Sequence, residues 1–75
     1  MSFDRRITLN ARVVVARHVL HNLLSQIKEI EADANTDVNT KLSKIKKIKD
    51  EITKVGTEID SIKREITLLN TYNVN

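Results

Sequence analysis

A chain of 75 residues with no cysteine, no proline and one glycine makes one domain, is too short to bury a large core unaided, and lacks the disulfide or zinc-ligand set that staples small chains. One phenylalanine, one tyrosine and no tryptophan leave a sheet protein without its aromatics and turn residues, so the chain reads as all-α. The formal net charge of +3 is too small to mark the whole chain as a nucleic-acid binder.

The first predicted element is a helix over about 4–34. Leu9, Val13, Ala16, Leu20, Leu23, Ile27 and Ile30 step by four and three, which lines them along one stripe of a helix. Ile7, Val14, Val15 and Val19, with Ala11, widen the apolar surface beyond that stripe, and β-branched residues suit solvated helical positions poorly. Those four are the expected partner interface, covered by a second copy or by a different protein docking helix to groove. The helix is also basic: Arg5, Arg6, Arg12, Arg17 and Lys28 stand against the single acid Asp4 over residues 1–28. His18 and His21 lie close enough to share a metal ion, but no cysteine and no acid between Asp4 and Glu29 completes a ligand set. They read as a surface pair, with no metal or cofactor expected.

Next comes a predicted loop over about 35–40. The first seam runs on to Ala34 and Asp37, whereas the seam of the second half extrapolates back to Val38 and Lys41, a break of register that one continuous helix can absorb as a stutter. Asn35-Thr36-Asp37-Val38-Asn39-Thr40 nevertheless strings together side chains that compete with the helical backbone, and this favours a turn. The alternative is a single rod about 100 Å long at 1.5 Å per residue.

The last element is a helix over about 41–72 whose a and d positions are all apolar: Ile45, Ile48, Ile52, Val55, Ile59, Ile62, Ile66 and Leu69. Glu51, Glu58 and Glu65 recur beside this seam as ion-pairing flanks rather than as a catalytic carboxylate pair. Gly56 costs its helix about 1 kcal/mol against alanine and is read as allowing a close helix approach. Lys41, Lys44, Lys46, Lys47 and Lys49 form a second basic cluster just after the loop.

Folded back antiparallel, the two helices set Leu9 against Ile66, Val13 against Ile62, Ala16 against Ile59, Leu20 against Val55, Leu23 against Ile52, Ile27 against Ile48 and Ile30 against Ile45. Every layer is apolar, with Arg12 expected near Glu65, Asp33 near Lys44 and Phe3 near Tyr72. Two helices cover each seam residue on one side only, and Leu24 and Leu42 add further apolar surface near the loop. A homodimeric four-helix bundle is the simplest closure, and isoleucine at both a and d favours three or four strands over two.

The residues around the turn, Leu23-Leu24, Ile27, Glu29-Ile30-Glu31-Ala32-Asp33, Asp37-Val38 and Leu42, roughly a quarter of the chain, resemble the Rop (Rom) family of short plasmid-encoded helical hairpins. The resemblance implies a dimeric antiparallel four-helix bundle that binds paired RNA loops through amides, lysines and a phenylalanine of helix one. Asn10 and Gln26 match the amides, while Val14 or Val15 holds the aromatic position.

No glycine-rich phosphate loop occurs, and a narrow bundle offers no cleft, so no enzymatic activity is expected. The longest apolar run, Val13 to Ala16, falls far short of the ~20 residues of a membrane span, and the N-terminus lacks a signal-peptide core, which points to a soluble cytoplasmic protein with no membrane partner. The leading expectation is a non-enzymatic helical module of the kind phage and plasmids encode, one that oligomerises and binds or regulates a partner protein. The alternatives are a Rop-like RNA- or DNA-binding regulator using Arg5, Arg12, Arg17, Lys44, Lys46 and Lys47, and a structural assembly subunit.

Overall fold

Three aspartates decide where the helices begin and end in the computed structural model, which describes residues 4–72. The Asp4 carboxylate accepts the Arg6 backbone N–H at 2.9 Å and so caps helix α1, Arg5–Ala32. An N-terminal turn has backbone donors with no intrahelical acceptor, and a side-chain oxygen at the cap satisfies one of them. Asp33 ends α1 in extended geometry, φ −72° and ψ 110°, with its own N–H reaching the Ile30 carbonyl. Its carboxylate then accepts the Asn35 N–H at 2.9 Å and the Thr36 hydroxyl. Asp37 caps helix α2, Val38–Tyr72, by accepting the Thr40 N–H at 2.8 Å.

The turn therefore occupies 33–37 rather than the expected 35–40, and α2 begins at Val38 rather than near 41. Asn39, Thr40 and Lys41 carry a loop-like composition, yet they form the first turn of a helix because Asp37 meets the donors there. Polar residues beside a cap belong inside the helix.

The two helices, of 28 and 35 residues, are about 42 and 52 Å long at 1.5 Å per residue. They lie side by side in a body of 59 × 18 × 13 Å. The chain is thus an all-α hairpin and not the rod. Among the described residues there is no strand.

The hairpin is held by the predicted seam, though unevenly. Leu9, Val13 and Ala16 of α1 and Ile59 and Ile62 of α2 form the buried core, with Val55, Ile66 and Leu69 packed against it. Leu23 is buried separately, whereas Leu20, Ile27, Ile30, Ile45, Ile48 and Ile52 are only partly buried. Every predicted seam residue is on the inner side, and the tightest part lies toward the chain ends.

The flanks differ from expectation. Arg12 reaches Glu58 at 3.5 Å, not Glu65, because Arg5 holds Glu65 at 2.8 Å. Both pairs join like positions beside the antiparallel seam, one heptad away from the pairing expected. Lys44 does lie near Asp33, close enough for its charge to help lower the Asp33 carboxyl, but the two form no ion pair, since the carboxylate is bonded to the turn. Phe3, expected near Tyr72, lies outside the described residues. An added Cβ on Gly56 would meet no atom within 4 Å, so this glycine serves no close approach between the helices. On the outer side of α2 the hydroxyls of Thr53, Thr57, Thr67 and Thr71 each donate to the carbonyl four residues earlier, at 3.0–3.1 Å. These bonds occupy the hydroxyls of four otherwise poor helix formers.

Candidate interaction surface

The residues left over by the hairpin core are the ones available to a partner. Ile7, Val14 and Val15 are 64%, 53% and 62% exposed, values that a monomeric hairpin does nothing to reduce. Along α1, Ile7, Ala11, Val14 and His18 step by four and three on the side opposite Leu9 and Val13, which makes a second, shorter seam on the rear of the helix. Val15 borders this rear seam.

Val19 belongs elsewhere. With Ala11, Val15, Ala16 and Val55 it lines an open groove of ≈ 440 Å³ along one flank of the hairpin, edged by Arg12 and Glu58, so Ala11 and Val15 border both surfaces. The flank carries Arg5–Glu65 and Arg12–Glu58 on successive heptads. The same step leads to Val19 and Glu51, where the cation is missing and Glu51 makes no ion pair among the described residues. The four residues read as one interface thus divide between a rear seam and a flank groove. The sequence carried this signal in the heptad positions, since Val19 sits one step before the seam residue Leu20 and Ile7 and Val14 sit behind it.

Leu24 and Leu42 are exposed as expected, and Leu68, Val38 and Tyr72 add exposed apolar surface on α2. Leu68 was not singled out in the sequence because it adjoins the seam residue Leu69. It turns outward beside Asp60, Lys63, Arg64 and Thr67, around a shallow depression of ≈ 580 Å³.

The basic residues do not gather into one patch. Arg5 and Arg12 are committed to Glu65 and Glu58, whereas Arg17 is exposed and makes no ion pair among the described residues. Lys44, Lys46 and Lys47 are exposed near the turn, and Lys47 is level with Lys28, about 24 Å along the axis from Arg12. His18 and His21 are exposed, and among the described residues no group of three metal-binding side chains occurs.

Electrostatics is strongest at the helix ends. Hydrogen bonds from the Arg6 side chain, including one of 2.6 Å, hold the Asp4 carboxyl below its ordinary pKa. Arg6 also donates to the Asn70 side chain at 2.9 Å, tying the start of α1 to the end of α2. The Thr36 hydroxyl and Asn35 N–H lower Asp33, and bonding to Thr40 lowers Asp37. No charged or polar side chain is buried among the described residues.

Among the described residues no helix is long and apolar enough to cross a membrane. No protein-family model, curated protein or solved structure matches the chain.

Proposed function

We propose that the chain is a small non-enzymatic interaction module, a cytoplasmic regulator of the phage or plasmid type, that joins two hairpins into a homodimeric four-helix assembly and binds or regulates a partner protein. One observation supports this reading above others: Ile7, Val14 and Val15 are more than half exposed on a helix whose opposite side forms the core. A contiguous apolar surface on a small protein marks a contact site. Sedimentation at micromolar concentration tests the assembly, and Val14→Asp or Val15→Asp, both at exposed positions outside the buried core, should weaken it or abolish partner binding while helicity stays intact. A chain that is folded and monomeric under these conditions overturns the reading.

The second reading, a Rop-like RNA- or DNA-binding regulator, draws on the exposed lysines Lys44, Lys46 and Lys47 and on Arg17, which makes no ion pair among the described residues. Phosphate contacts need only cations within reach, and they make binding steeply salt-dependent. Charge reversal at Lys46 and Lys47 separates the two, because it removes nucleic-acid binding and leaves protein contacts on α1 unchanged.

A further inference from the structure

We infer that the flank of the hairpin bearing Asn10, Arg17 and Lys63 is a docking groove for an acidic helix of a different protein, which lies along it between α1 and α2. The inference rests on the partner-binding reading above and gives that partner a chemistry and a place.

The two flanks of the hairpin are built alike and charged differently. On one, Arg5 and Arg12 of α1 meet Glu65 and Glu58 of α2 at 2.8 and 3.5 Å. On the other, the same heptad step sets Asn10, Arg17 and Leu24 on the α1 wall and Lys63, Gly56 and Lys49 on the α2 wall. None of the six is an acid. Asn10, Arg17 and Lys63 border an open groove of ≈ 380 Å³ whose apolar lining is Val13, Val14 and Ile66. Arg17, Lys49 and Lys63 are exposed and make no ion pair among the described residues. Asp60, one turn back from Lys63 on α2, makes none either. Lys49 and Lys63 are about 21 Å apart along α2, and Arg17 falls between them in height. Three cations thus follow one line beside apolar surface.

Gly56 fits the same reading. A glycine inside a helix costs stability, and within the hairpin nothing lies within 4 Å of where its Cβ would be. The α2 wall is therefore lowest near the height of Arg17, where the backbone of a third helix can come close.

Period and polarity select the occupant. The wall positions recur every seven residues on both helices, which is the repeat at which a helix lying alongside presents one face. Apolar residues on that face meet Val13, Val14 and Ile66, and acids beside them meet Arg17, Lys49 and Lys63. A nucleic-acid duplex carries a phosphate about every 3.4 Å along each strand, and Val13, Val14, Leu24 and Ile66 give such a row nothing to bond. A second copy is a poor donor of acids, since Glu58 and Glu65 of its heptad row are already held by Arg12 and Arg5.

The probe is a helical peptide of three heptads with leucine along one face and glutamate on either side of it, beside a twin with lysine in place of glutamate. The chain has a single glycine, so glycine-labelled protein gives one resonance, the Gly56 amide, in a proton–nitrogen correlation spectrum. The acidic peptide should move that resonance and the basic twin should not. Gly56→Leu, which fills the low wall with a good helix former, should weaken binding at least about tenfold, and so should Arg17→Glu combined with Lys63→Glu. Lys47→Glu with Lys54→Glu, the same change of charge outside the groove, should leave it unchanged. If the acidic peptide binds Gly56→Leu and the Arg17–Lys63 reversal as tightly as the parent chain, this groove is wrong while partner binding stands. The inference also falls if neither peptide moves the Gly56 resonance, if a duplex oligonucleotide moves it instead, or if it moves on dilution of the chain alone. Self-assembly is judged apart from these outcomes, by sedimentation.

Discussion

The two halves of the hairpin share one seam and differ in how much of it they bury. Toward the chain ends, Leu9, Val13, Ala16, Ile59 and Ile62 are buried. Toward the turn, residues of the same chemistry, Leu20, Ile27, Ile45, Ile48 and Ile52, stay partly exposed, with Leu23 the buried exception. The flanks account for the difference. Near the chain ends, Arg5, Arg6 and Arg12 stretch their methylene stems across to Glu65, Asn70 and Glu58 and shield the seam edge, as long charged side chains do over apolar surface. Near the turn the corresponding positions hold Val19 and Gln26, and the cross-helix bond there runs from Lys41 to the Glu31 carbonyl at 3.4 Å. In a two-helix hairpin, side chains beside the seam set the burial that the seam residues themselves supply.

The sharpest way to break this comparison is to remove equal apolar volume from each half. Ile59→Ala should cost about 2–4 kcal/mol in urea unfolding, because it leaves a cavity in the buried core, whereas Ile48→Ala should cost about 1 kcal/mol, the value of losing a partly covered side chain. Equal losses would show that the halves are equally packed in solution. Gly56→Ala should stabilise the hairpin by about 0.5–1 kcal/mol, since nothing stands within 4 Å of the added methyl; a loss of stability would mean that a partner occupies that space.

Smaller still is the effect of restoring the missing rung. Val19→Arg supplies Glu51 with a cation and should add about 0.2–1 kcal/mol at low salt, a gain that vanishes in 1 M salt. Increased amide protection at Leu20 and Ile52 would confirm that flanks cover the seam, and unchanged protection would argue that they do not. The least effect is acidification. Hydrogen bonds hold the Asp33, Asp37 and Asp4 carboxyls below the ordinary carboxylate pKa, so their contribution is present above that ordinary value and is lost as pH falls through the lowered, folded-state one. Two of the three border the turn, so the Asn35 and Thr40 amides should lose exchange protection on acidification before the Leu9 amide does.

The hairpin itself was legible in the sequence because stripe spacing needs only backbone geometry, and the breaks of register between Ile30 and Ile45 marked the turn. Its boundaries were not, because Asp33 and Asp37 act through single hydrogen bonds whose donors lie inside what composition presents as a loop. The choice of Glu58 over Glu65 for Arg12 was hidden for a related reason: two partners one heptad apart fit the pattern equally, and Arg5 decides between them. Ile7, Val14 and Val15 were recognisable as apolar residues outside the seam. That Val19 belongs to a separate groove depended on its neighbours across the hairpin, Val55 and Glu58.

The bond from Arg5 to Glu65 joins residues 60 positions apart, and that from Arg6 to Asn70 spans 64. The tightest packing lies at the end of the hairpin that is most distant in sequence, where closing a loop costs more chain entropy than it does beside the turn. Chain entropy favours the contacts beside the turn forming first, while the buried core lies at the other end. During synthesis on a ribosome α1 waits for Ile59 and Ile62 to emerge before its core can form. A fragment ending ahead of Ile59 lacks the α2 side of that core and should be cleaved by a protease faster than the whole chain.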